Sequence, residues 1–202
     1  MIDPIFASAA EAFAELVRRI SPADWGGPGL GEWDLRSLVG HASRSLITVS
    51  TYLRSTADHE DVTGPVEYYT AVRDYLSTMG ADEVVERGRQ AGRDLGPDPV
   101  ATIEDLLHTV LAELREVDDP LIAVFGGMGI RLSNYLPTRT FELAVHGLDI
   151  IAATGIAATL PTEVLEEATV LAARVGVALG SGESVLTSLT GRTTLPAGFS
   201  VV

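Results

Sequence analysis

The chain has 202 residues, 46 % of them hydrophobic, with 28 acidic side chains against 14 basic ones and a net charge of −14. That length supports one sizeable core, or one domain with a small appendage. The charge argues against nucleic acid or anionic membrane as a main partner, because both demand basic patches. The chain has no cysteine, so a metal must be held by His, Asp or Glu, and thiol chemistry must use a thiol from outside. Nothing resembles a signal peptide, since the first helix candidate carries Glu11 and Glu15 and ends in Arg18 and Arg19. No apolar run approaches the length of a bilayer span. A soluble, cytoplasmic protein is expected.

The periodicity is helical almost throughout. Asp3 and Pro4 supply a cap and a first-turn proline for a helix whose apolar stripe is Ile5, Phe6, Ala9, Phe13, Leu16, Val17 and Ile20. A Gly/Pro loop, SPADWGGPGLGEW, leads to a second helix capped by Asp34 and running to about Ser55. Trp33 and Leu38 occupy hydrophobic-staple positions around that cap. A third helix is expected from Pro65 to about Met79, resuming from Ala81 to Arg93, and a fourth from Pro99 to Val117. VFGGMGIRL reads as a glycine-rich connector able to hold one short strand or an extended loop. A fifth helix spans Pro137 to Gly155, a sixth Pro161 to Leu179, and the tail has room for one short helix. The expected fold is an all-α bundle over residues 1–155, with a short helical extension, 156–202, packed on it.

The segment RTFELAVHGLDI carries the chemistry. At about 100° per residue, Glu142 and His146 share a face, with Asp149 below and Arg139 just above. Phe141, Val145, Leu148 and Ala152 flank this stripe on one side, and Leu143 and Ile150 on the other. A helix apolar on both sides of a polar stripe is a buried helix, leaving only the sector near Thr140 and Gly147 for water. Three pairings could then satisfy Glu142 and His146: a Glu–His hydrogen bond with Arg139 neutralising the carboxylate, a metal chelated from one helix face, or a substrate pocket without metal.

A metal needs a further ligand, so the other histidines matter. His59 lies in an acidic loop and reads as solvated; His108 fits the core or a helix surface. His41 stands beside the apolar stripe of the second helix, in line with Ser37, Ser45, Thr48 and Tyr52, which suits a pocket wall. His41 with Glu142 and His146 would give three ligands and open positions, the arrangement of catalytic zinc or of a two-histidine, one-carboxylate iron centre. A di-iron carboxylate bundle needs more ligands than the chain offers. No His-Glu-x-x-His, phosphate-binding loop or G-x-S-x-G turn is present.

EWDLRSLVGHAS resembles the start of the second helix in mycothiol-dependent maleylpyruvate isomerase-like proteins, and GGMGIRLSNYLPTRTFELAVHGLDI resembles their second signature. These proteins belong to the DinB-like four-helix-bundle metalloenzyme superfamily, and the likeness covers most of residues 1–155. It implies a DinB-like bundle with additional C-terminal helices and a divalent metal, usually zinc, on His41, Glu142 and His146. It also implies a low-molecular-weight thiol as nucleophile, mycothiol in actinobacteria. The tail LTGRTTLPAGFSVV resembles the ends of shorter members. The isomerase itself has a larger C-terminal domain contributing to its active site, which about 45 residues after the fifth helix cannot supply, so its substrate does not carry over.

The expected activity is that of a zinc-dependent, mycothiol-dependent transferase or isomerase in which a metal-activated thiolate attacks an electrophilic small molecule. Arg139 and Asp149 would orient Glu142 or His146 or receive substrate charge, and Ser45, Thr48 and Tyr52 would line the pocket. Rival readings are a non-catalytic metal- or ligand-binding bundle and a metal-dependent hydrolase that activates water. The expected partners are a small-molecule thiol and an electrophile, and the last helices could close the monomer or form a homodimer face.

Overall fold

The computed structural model describes residues 3–76 and 80–201. In chain order these form α1 (Pro4–Arg18), α2 (Leu35–Tyr52), α3 (Pro65–Leu76), α4 (Ala81–Asp94), α5 (Pro99–Arg115), β1 (Leu121–Ala123), β2 (Gly129–Arg131), α6 (Leu132–Thr154), α7 (Thr162–Ala178) and α8 (Gly182–Leu189). The architecture is all-α with one small hairpin. The expected end of the third helix, residues 77–79, lies outside the described residues.

Four helices close a ring: α1 packs on α5, α5 on α2, α2 on α6 and α6 on α1. Their inward faces are the stripes visible in the sequence. Phe6, Phe13 and Val17 of α1, Leu38, Leu46 and Val49 of α2, Ile103 and Val110 of α5, and Tyr135, Leu143 and Ile150 of α6 are all buried in one core. Each large apolar side chain so enclosed contributes about 1.5–3 kcal/mol. The Asp3 side chain caps α1 by accepting from the Ile5 and Phe6 amides, and Asp34 caps α2 by accepting from Ser37. Outside the ring, α4 lies on α2, and α7 lies across α6, α3 and α1. Among the described residues, no helix is long and apolar enough to cross a membrane.

The backbones of α2 and α4 approach closely. A Cβ at Gly40 would collide with the backbone of Ala91 and Gly92, and one at Gly92 would press on Ser37. Glycine is therefore required on both sides of that crossing.

Two expectations are corrected. The fifth predicted helix, here α6, begins at Leu132, a turn and a half before Pro137, which sits inside it. The early start is capped from afar: Asp119 accepts from the Ser133 amide at 2.8 Å and from its hydroxyl at 3.0 Å, while the Leu132 amide donates to Pro120. The second correction concerns water. Thr140 and Gly147 are buried, because α7 and Leu160 cover their sector, and it is Leu148 that reaches solvent.

The glycine-rich connector holds one short strand, β2, and folds it back on β1, which lies just upstream of the connector. β1 and β2 pair antiparallel, Leu121 with Arg131, Ile122 with Ile130 and Ala123 with Gly129. Gly126 and Gly127 both have positive φ, 67° and 80°, which lets the chain reverse between them. The α2–α3 loop clamps this hairpin through bridges from Thr56 to Ile122 and from Val62 to Ile130. Phe125 is thereby carried to the wall of the cavity described next.

Candidate functional site

The ring of helices brings three sequence-distant side chains together near one end of α2. His41 comes from α2, two turns past the Asp34 cap, and Glu142 and His146 come from successive turns of α6. One ligand atom from each lies within 4.8 Å of the other two. The imidazoles of His41 and His146 stand edge to face with ring centroids 4.9 Å apart. His146 Nε2 is 3.6 Å from Glu142, and its Nδ1 is 3.0 Å from Asp149. Asp149 thus fixes the ring of His146 and leaves Nε2 directed at the cluster. Tyr69 of α3 donates its hydroxyl to the other Glu142 oxygen at 2.8 Å.

The electrostatics follow from burial and from these partners. Desolvation and the nearby His146 charge lower the His41 pKa to about 4, so this imidazole is neutral at pH 7. Burial pushes Glu142 upward, but His146, Arg139 and Tyr69 outweigh it and hold the carboxylate at about 2. Burial likewise opposes charge on His146, yet Asp149 and Glu142 raise it to about 9. Burial, then Glu142, lifts Tyr69 well above the ordinary phenol range, which keeps it a donor. A neutral imidazole, an ionised carboxylate and an imidazole oriented by Asp149 suit a divalent cation, and the cluster fits one on its donor set.

Beside the cluster opens a cavity of about 220 Å³ lined by His41, Glu142, Ser45, Thr48, Tyr52, Tyr68, Tyr69, Tyr135, Phe125, Arg44, Arg87 and Arg139, with Val72 and Val84 at its edge. The expected wall residues Ser45, Thr48 and Tyr52 therefore all reach it. Thr48 accepts from the Tyr135 hydroxyl at 2.8 Å. Arg139 acts on the Glu142 carboxylate through space, and its hydrogen bonds go elsewhere. It donates to Thr138 Oγ1 at 3.0 Å and to the Tyr68 hydroxyl at 3.2 Å, and lies 5.3 Å and 4.9 Å from the ring centres of Tyr68 and Tyr135. Burial works against its charge, but the phenols around it and Glu142 prevail.

The other histidines stay apart. His59 is exposed and paired with Asp61 at 3.0 Å, and His108 is on the surface of α5. Trp33, at the staple position, lays its ring 4.6 Å from that of His41 and donates to the Val85 carbonyl at 2.9 Å. Sequence reasoning missed Tyr68, Tyr69, Arg87 and Phe125, because they arrive from α3, α4 and the hairpin. Arg44 was within reach of it, three residues after His41 and hence on the same face.

A four-helix ring with a half-buried two-histidine, one-carboxylate cluster at a polar cavity defines the class. A family model described as the mycothiol maleylpyruvate isomerase N-terminal domain matches residues 6–151. The chain belongs to that family. No curated protein and no solved structure matches it.

Proposed function

We propose that this chain is a metal-dependent enzyme that uses a low-molecular-weight thiol, mycothiol, against an electrophilic small molecule, as a transferase or isomerase. The observation that carries the reading is the convergence of His41, Glu142 and His146 within 4.8 Å at the cavity wall, in a chain of the mycothiol maleylpyruvate isomerase N-terminal family. These three would hold the cation, with zinc the best match to two imidazoles and a carboxylate. A divalent cation there would supply Lewis acidity that favours the thiolate form of an incoming thiol at neutral pH.

The chain's own residues do the rest. His41 offers a lone pair because burial keeps it neutral. Asp149 holds His146 in one orientation, and Tyr69 does the same for Glu142. Ser45, Thr48 and Tyr52 present hydroxyls along the α2 wall, where a sugar-like thiol carrier or a polar electrophile can be hydrogen-bonded. The chain has no cysteine to compete as nucleophile. Residues 156–202 are read as an extension that covers α6 rather than as a second catalytic domain.

The test is elemental analysis of the purified chain, followed by turnover of an aryl halide with and without mycothiol. Near-stoichiometric zinc and turnover that needs both metal and thiol are expected. Metal-dependent turnover without thiol would shift the assignment to hydrolysis, and no metal uptake at all would overturn it.

A further inference from the structure

Where the last helices fold back on the ring, they leave a second space. A cavity of about 650 Å³ lies between α6 and α7 on one side and α8 with the tail on the other. The cavity beside the cluster holds about 220 Å³. Phe141 and Val145 form the inner wall of the larger one, each a single residue before a candidate ligand on α6. The Phe141 ring stands 5.3 Å from that of Tyr69, so α6 divides the two spaces and faces both.

The wall is almost free of polar demand. Charged residues make up 21 % of the chain, yet among the described residues none lines this cavity, whose polar side chains are all serines and threonines. Two of those are already engaged within the wall. Ser188 donates to the Thr193 carbonyl at 3.1 Å, and the Thr193 hydroxyl bonds to that of Thr187 at 2.8 Å. The outer wall is also loosely packed: no residue of α8 is buried, and Leu189 and Leu195 are 69 % and 46 % exposed. From α7 the cavity meets only the short side chains of Thr169, Ala172 and Ala173. Apolar surface enclosed without being filled favours an apolar occupant.

Charge selects among such occupants. An anion would enter a chain of net charge −14 and find no cation in the wall, while a cation would find no carboxylate there. Either ion would give up its hydration with nothing in return. A neutral molecule gives up little and covers the wall.

We propose that this cavity is a second ligand site, which takes a small, neutral, mainly aliphatic molecule with a hydroxyl-sized polar end. The site goes beyond the functional reading above and does not rest on it.

The experiment is calorimetric titration of the full chain at neutral pH with 1-octanol, octanoate and octylammonium, which share a chain length and differ in charge. 1-Octanol should bind about tenfold or more tightly than either ion, because each ion must shed its hydration. Removing metal by chelation should leave that affinity unchanged. Ala172→Trp, which fills the space from α7, should lower octanol affinity about tenfold, and Leu189→Ala, at the exposed wall, about threefold. Leu189→Ala decides alone should the tryptophan prevent folding. Equal affinity for the alcohol and the ions, no octanol binding, loss of binding on chelation, or binding that both variants retain overturns the proposal. So does binding that weakens as protein concentration rises while sedimentation shows paired chains, which would give this face to a second copy.

Discussion

His59 and His146 each lie 3.0 Å from an aspartate two or three residues away, yet the two pairs are different objects. The His59 side chain is 78 % exposed and its pair with Asp61 hangs in a loop, whereas the His146 side chain is 12 % exposed. His146 also has Glu142 and His41 on its other side, and His59 has no such company. The same residue types at the same distance become a solvated pair in one place and part of a candidate centre in the other. Burial and convergence decide, because water screens an exposed pair to little net effect, while an enclosed one keeps most of its Coulomb interaction.

The largest effect that could break this contrast is loss of the cation. His41→Ala and Glu142→Ala should each bring metal content from near one per chain to background, while His59→Ala leaves it unchanged; equal losses in all three would abolish the distinction. A smaller effect is expected from Asp149→Asn, which keeps all three ligands but loosens His146, and metal affinity should fall about 10–100-fold in competition with a chelator. Asp61→Asn should not move that affinity.

The pH dependence of the metal-free protein sharpens the comparison further. His146 has a folded pKa of about 9, above its ordinary value of 6.5, so the stability it contributes is full below pH 6.5 and lost as pH rises through 9. His41, lowered to about 4, acts on the other flank: its neutral burial costs stability as pH falls from 6.5 towards 4. Melting temperature without metal should therefore peak near pH 6.5 and decline on both sides, and the alkaline decline should vanish in His146→Gln. The smallest effect belongs to the exposed pair. Asp61 accepts from the Gly129 amide at 2.8 Å, and Asp61→Ala should cost about 0.5–1.5 kcal/mol in urea unfolding with no change in metal content.

Most of the ring was legible because its helices obey local rules. Asp3, Asp34 and Asp98 cap α1, α2 and α5, and Gly155 ends α6 with φ of 67°. The apolar stripes of α1 and α2 point at the core that forms. The start of α6 was hidden because its cap, Asp119, is 14 residues upstream of Ser133 and reaches it only once the hairpin has formed. The outward sector of α6 was misjudged because periodicity can show that a face is non-apolar but not that α7 will lie on it. At the site, the spacing of Glu142 and His146 on one helix was readable, and His41 suggested itself from its column of hydroxyl residues. Tyr69, which holds Glu142, and Phe125, which lines the cavity, belong to elements whose approach no local pattern encodes.

The contact of Trp33 with His41 gives the molecule an optical readout of its own. Trp33 is one of two tryptophans in the chain, and its indole is trapped between an imidazole at 4.6 Å and the backbone of α4 at Gly88, where a Cβ would collide with the ring. Occupancy of the cluster changes the charge and hydrogen bonding of that imidazole, and so the emission of the ring lying on it. A Trp25→Phe variant would leave a single tryptophan, half-buried against His41, by which loading can be followed in real time without any added dye.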